Sequence, residues 1–117
     1  MSTQDKIESH PQKKVIGLKF DGDKPKWELL PLDAVEEIVK VMTMGARKYA
    51  PNNWQHVDDG ENRYTAAMFR HMTAISKGEV IDQESGLPHI SHVACNALFL
   101  TWFELHKNDI DRVKEEK

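Results

Sequence analysis

The stretch SGLPHISHVACNALFLTWF, residues 85–103, contains no Asp, Glu, Lys or Arg, and its reading decides the fold. A helix of this length without charge on any side is buried all round. Pro88 suits a first helical turn, so the pattern predicts a helix from near Leu87 or Pro88 to about Lys107. The charged residues Asn108 to Lys117 extend it or fray. Its first half nevertheless carries His89, His92 and Asn96, which fall within about 60° on a helical wheel. Buried polar groups without partners cost a few kcal/mol each. The stripe must therefore face other polar groups, water, a metal or a ligand. A single histidine there is more often a satisfied core residue; three polar residues in register on an apolar helix point to a site.

Upstream lies the loop Glu79 to Ser85, which carries Glu79, Asp82 and Glu84. Before it, a helix is predicted from about Asn62, a suitable N-cap, to Lys77, with Gly78 as the residue that ends it. Arg63, Arg70 and Lys77 recur every seven residues and form one basic line beside Ala67 and Ala74. Such a line is either a rail for phosphate oxygens or an exposed stripe paired with the acidic loop. His71 projects to the Tyr64–Ile75 side of this helix, the place of a core or interface histidine.

A further amphipathic helix is predicted from Leu32 to Tyr49, just after Pro31. Val35, Ile38, Val39, Val41, Met42, Ala46 and Tyr49 share one side, and the charged residues share the other. It stops at Ala50-Pro51-Asn52-Asn53. Asp33, Glu36 and Glu37 lie on its polar side; carboxylates so spaced can hold a hard cation, although most such faces are simply solvated. Asp33 and Glu36 also have capping-box spacing. Trp54, in the polar loop that follows, either stacks on a base or anchors the loop. Val15 to Phe20 reads as a short extended piece, followed by a turn over Asp21 to Pro25.

The chain has 117 residues, is 39% hydrophobic and 30% charged, and has a net charge of −3. These values fit one globular domain, residues 15–117, behind a polar tail over 1–14. A duplex-binding protein usually carries a basic excess, so nucleic acid is not expected as a partner. No apolar stretch is long enough to predict a membrane span. The polar N-terminus shows no secretory signal, and the single cysteine, Cys95, suits a reducing compartment. A cytoplasmic location is therefore expected. The broad apolar faces of three helices predict a dimer or tetramer that completes a bundle.

Lys19-Phe-Asp-Gly-Asp-Lys-Pro25, Leu29-Leu-Pro31, Gly45-Ala-Arg-Lys-Tyr49, Asn53-Trp54, Arg70-His71 and Gly78-Glu79 occur in order. Asp82-Gln-Glu-Ser-Gly-Leu-Pro-His-Ile-Ser-His92 and Asn96 follow. Together, over residues 17 to 104, they resemble the phage dATP/dGTP diphosphohydrolase family, a branch of the MazG-like all-α nucleotide pyrophosphohydrolases. The resemblance implies an all-α, oligomeric MazG-like bundle. It also implies hydrolysis of purine deoxynucleoside triphosphates to monophosphate and pyrophosphate with a divalent metal, in the host cytoplasm for a phage-encoded chain. The wider superfamily carries ExxE on one helix and ExxD on a later one. Glu37 matches the first Glu, Lys40 stands in place of the second, and His89 and His92 stand in place of the later acidic pair.

On this combined reading Glu36, Glu37, His89 and His92 are the candidate ligands for Mg²⁺ or Mn²⁺. Glu37 is expected to be needed for turnover, and Asp82 or Glu79 is the candidate general base. Lys48, Arg70 and Lys77 are placed on the phosphates, and Trp54 and Asn96 on the base or sugar. Lys40 and the two histidines also fit a non-catalytic nucleotide-binding or helical interaction protein of the same fold. An enzyme releasing triphosphate is disfavoured, because no adjacent His-Asp pair is present.

Overall fold

The computed structural model describes residues 17–110. The predicted tail over 1–14 and the charged end over 111–117 lie outside the described residues. Three α-helices organise the described residues: α1 (Leu32–Lys48), α2 (Gly60–Ser76) and α3 (His89–Leu105), with 3₁₀ turns at Trp27–Leu29 and Asn53–His56. The fold is all-α; the described residues hold no strand, only an isolated bridge between Ile81 and Pro88. The described part of the expected extended piece, residues 17–20, is irregular and exposed. None of the described helices is long and apolar enough to cross a membrane.

α3 is the central element, but it is not buried all round as its lack of charge predicts: Ile90 is 62% and Leu98 46% exposed. α2 packs along it most extensively, and α1 packs against it too. Cys95, Phe99 and Phe103 form the buried apolar core. The 3₁₀ turn after α1 lays Trp54 flat on Phe99, with ring centroids 4.1 Å apart. Tyr64 of α2 meets the same Phe99 edge-on at 5.1 Å, and its hydroxyl donates to the Trp54 carbonyl at 3.2 Å. Aromatic packing of this kind adds to simple burial. Trp54 thus anchors its loop.

α2 begins two residues earlier than the Asn62 cap predicts. Asp59 takes a left-handed conformation, φ 56°, which Asp tolerates better than most residues. The Asn62 side chain donates to the Asp59 carboxylate at 3.0 Å, so Asn62 holds the helix entry rather than capping it. The C-terminus ends as Gly78 predicts. Gly78 has φ 92°, its amide donates to the Ile75 carbonyl at 2.9 Å, and the Glu79 amide donates to Ala74 at 3.0 Å. This paired closure is the Schellman pattern, and it fixes where Glu79 leaves the helix.

Gly60, the first residue of α2, is buried, and a Cβ there would lie 2.9 Å from Cζ of Phe103. Phe103 is 6% exposed and packed between aromatic rings, so it has little room to yield. Gly60→Ala is expected to destabilise the domain by about 1–3 kcal/mol, the range for overpacking a core. Urea melts of the two proteins measure the difference; equal midpoints would show that the ring moves freely.

α1 is the least covered helix: it contains no buried residue. Val35, Ile38, Val41, Met42 and Ala46 are half-buried, while Val39 is 47% and Tyr49 64% exposed.

Candidate functional site

α3 floors a cleft of about 980 Å³ whose walls come from α1, α2 and the loop before α3. His92, Asn96 and Phe99 face it from the floor. Lys48 and Tyr49 enter from the end of α1, Arg63, Arg70 and His71 from α2, and Asp82, Glu84 and Ser85 from the loop. The volume lies in the upper part of the roughly 300–1,000 Å³ range of small-molecule pockets.

The loop is not merely acidic; it is a tight hairpin. The Asp82 amide donates to the Leu87 carbonyl at 2.8 Å, Gly86 donates back to Asp82 at 2.7 Å, and the His89 amide donates to Val80 at 2.8 Å. Gly86 sits at φ 75°, where glycine carries no steric penalty. The Ser85 amide donates to Oδ2 of Asp82 at 3.0 Å. These bonds lock the Asp82 carboxylate at the start of α3, half-buried.

Three histidines gather beside it. His71 lies over His92 with ring centroids 4.4 Å apart and planes 11° from parallel. Nδ1 of His71 and Nδ1 of His89 are 2.8 Å apart. Nε2 of His89 lies 3.3 Å from Oε1 of Glu79. Since an ionised carboxylate only accepts, Nε2 of a neutral His89 carries the proton and its Nδ1 keeps a lone pair. His71 must then donate from its own Nδ1. Nε2 of His92 is 2.7 Å from the Ser85 hydroxyl and 3.6 Å from Oδ2 of Asp82.

The electrostatics follow from burial and these contacts. Burial pushes the His71 imidazole below its ordinary value, and the neighbouring His92 adds to this. Burial lowers His92 as well, against the pull of Asp82. For Asp82, burial works against the ionised form. Hydrogen bonding from Ser85 and the nearby His92 and His71 outweigh it and hold the carboxyl below its usual value. At neutral pH the site holds an ionised Asp82 beside the neutral imidazoles of His71 and His92. Ser85 and His92 do not make a nucleophilic triad, because there the orienting carboxylate binds the second ring nitrogen. Here Ser85 and Asp82 both meet Nε2. Burial drives the Cys95 thiol up to about 12, so Cys95 is an inert core residue.

The structure brings His89, His92, Asp82 and Glu79 together, and Lys48, Arg70, Trp54 and Asn96 line the adjoining cleft. Asn96 donates to the His92 carbonyl at 2.8 Å. Lys77 is the residue that closes α2 and is not part of the cleft lining. Glu36 and Glu37 are likewise outside the lining, and Glu37 is held by Lys40 at 2.8 Å on the same helix. Among the described residues the acidic loop pairs with Lys48, which meets Glu84 at 3.4 Å, and not with the arginines of α2, as one of the two readings of the basic line expected. His71 occupies the inward side of α2 expected of it, but that side is a wall of the site, a role the sequence did not assign to it. Its adjacency to Arg70 was the available signal.

Among known proteins, the family described as "dATP/dGTP diphosphohydrolase, N-terminal" matches residues 14–113. A dATP/dGTP diphosphohydrolase of Salmonella phage PMBT28 is 34% identical over 88 residues, which cover 75% of this chain and 30% of the relative. The alignment with this chain thus spans less than a third of that relative's length. No solved structure matches.

Proposed function

The chain belongs to the dATP/dGTP diphosphohydrolase N-terminal family, and on that premise we propose that it hydrolyses purine deoxynucleoside triphosphates to the monophosphate and pyrophosphate. The observation that supports this best is the cleft itself. Arg63, Arg70 and Lys48 stand on its walls, and the ionised Asp82 with the neutral His71 and His92 stand at one end. Cationic side chains that can grip phosphate oxygens therefore face a cluster that can handle water and protons, within one cavity of nucleotide size.

Each group has a task on this reading. Arg70 and Arg63 hold the phosphate chain, Arg through its fixed fork of donors. Asp82 orients the attacking water towards the α-phosphorus. His92, kept neutral by burial, takes the proton that the water gives up. Asn96, Trp54 and Tyr49, which line the same cleft, contact the sugar and base. A divalent cation, Mg²⁺ or Mn²⁺, when bound supplies positive charge that acidifies water and neutralises the leaving pyrophosphate. The donor set fits one, since one ligating atom from each of His71, Asp82 and His89 lies within 4.8 Å of the other two. The thinly covered apolar side of α1 supports assembly into a dimer or tetramer, and a phage-encoded chain would act in the host cytoplasm.

The purified chain should be incubated with each NTP and dNTP, with Mg²⁺ or Mn²⁺, and the products separated by chromatography. Pyrophosphate and a purine deoxynucleoside monophosphate are the expected products. Orthophosphate, inorganic triphosphate or no turnover would overturn the proposal. A nucleotide-binding module without turnover is the second reading. It is favoured by the Glu37–Lys40 pair, which occupies the carboxylate that the family resemblance makes a metal ligand.

A further inference from the structure

The shared position of His71, Asp82 and His89 goes beyond a polar core patch. One ligating atom from each lies within 4.8 Å of the other two. The three come from three different elements, α2, the hairpin and α3, so their meeting is a product of the tertiary fold and not of one helix face. His89 is 5% exposed, and His71 and Asp82 are half-buried. Nδ1 of His71 and Nδ1 of His89 lie 2.8 Å apart and share a single proton. Around a tetrahedral ion with metal–nitrogen bonds of about 2.0–2.1 Å, two ligands lie about 3.3 Å apart. The observed 2.8 Å is about half an ångström shorter than that edge.

The surroundings are arranged as metal sites are. Glu79 accepts from the far nitrogen of His89 at 3.3 Å, which leaves Nδ1 unprotonated and turned towards His71. A carboxylate on the outer nitrogen of a ligating histidine fixes its tautomer and strengthens it as a ligand. The Ser85 amide, at 3.0 Å from Oδ2, does the same positioning for Asp82. The Schellman closure at Gly78 and the hairpin bonds keep both supports in place without any metal.

We infer that His71, Asp82 and His89 form a three-ligand site for a divalent transition ion, with Glu79 as the positioning residue behind His89. The cation takes the place of the proton between the two histidines; that proton leaves Nδ1 of His71 and is taken up at Nε2 of the same ring, so both imidazoles stay neutral. The site rests on the hydrolase reading only for its purpose, not for its geometry. Two nitrogens and one carboxylate oxygen favour Mn²⁺ or a later first-row ion over Mg²⁺, which prefers an all-oxygen, largely hydrated shell. The site therefore differs in position and in ligand chemistry from one built on the α1 carboxylates.

The test uses the full chain without nucleotide and Mn²⁺ as the probe, followed by electron paramagnetic resonance. The expected result is one bound Mn²⁺ per chain with hyperfine couplings from imidazole nitrogen, not displaced by equimolar Mg²⁺. His71→Ala should remove one nitrogen coupling and weaken binding at least tenfold. Glu79→Gln, on a side chain 59% exposed and so safe for folding, should weaken binding by about 10–100-fold with both nitrogen couplings retained. Bound Mn²⁺ without nitrogen couplings, or affinity that is unchanged in His71→Ala and lost in Glu37→Gln, would overturn the assignment. Binding as expected without hydrolysis would leave this site standing and sink the proposed function. Full hydrolysis by a His71→Ala protein with wild-type Mn²⁺ affinity would do the reverse.

Discussion

Asp82→Asn is expected to lower kcat for purine deoxynucleoside triphosphates by about 10²–10⁴-fold, the range for a positioned acid–base or water-orienting group, with the helical circular dichroism unchanged. The side chain keeps its shape in this variant, and the amide oxygen still accepts from the Ser85 backbone, 3.0 Å away in the parent. The hairpin should therefore stay closed. What is lost is the negative charge that Ser85, His92 and His71 sustain against burial. Charge is what orients water or a cation at the end of the cleft, so the loss falls on turnover and not on folding. Steady-state kinetics with pyrophosphate detection measures it. Glu37→Gln run in parallel gauges the α1 carboxylate that the sequence resemblance favours. Turnover lost in Glu37→Gln but normal in Asp82→Asn would move the reacting centre from the hairpin to α1.

Arg70→Ala is expected to lower kcat/KM by about 10–100-fold, because hydrogen bonds to charged groups contribute roughly 1.5–3 kcal/mol each, and tenfold corresponds to about 1.4 kcal/mol. Arg70 is exposed on α2 and lines the cleft beside His71, so its removal leaves no cavity in the core. Lysine at this position keeps the charge but not the bidentate fork, and Arg70→Lys should recover only part of the loss. Lys48 is a weaker hold on the phosphates, since it already meets Glu84 at the protein surface. Unchanged kcat/KM in Arg70→Ala would show that the basic wall does not touch the phosphates.

Both expectations depend on residues whose relation no reading of single helices could establish. The helices themselves were legible: predicted and observed bounds agree within two residues at each end of α1, α2 and α3. Local signals mark them, namely the apolar periodicity, the Ala50-Pro51-Asn52-Asn53 breaker and Gly78. The polar stripe of α3 was legible as well, and His89, His92 and Asn96 are all buried with partners or beside the cleft. The choice among the loop carboxylates was open in the sequence. The sequence left the general base open between Asp82 and Glu79; the structure directs Glu79 to His89, Asp82 into the cleft near His92, and Glu84 to Lys48.

What the amino-acid order determined by itself is therefore local and periodic. Each helix's extent, its apolar side and the uncharged α3 at the centre depend on backbone propensity and on 3.6-residue spacing, which any window of the chain carries. What only the tertiary structure decided is which sides meet. A helical wheel gives His71 a direction on α2 but cannot say that α3 presents His89 and His92 in that direction. Nor can it show that a hairpin closed by bonds between Asp82 and Leu87 and between Val80 and His89 delivers a carboxylate to the same point. Those outcomes follow from the packing of α2 on α3 and from hydrogen bonds that form only once the chain has turned back on itself, and the chemistry of the site lies in them.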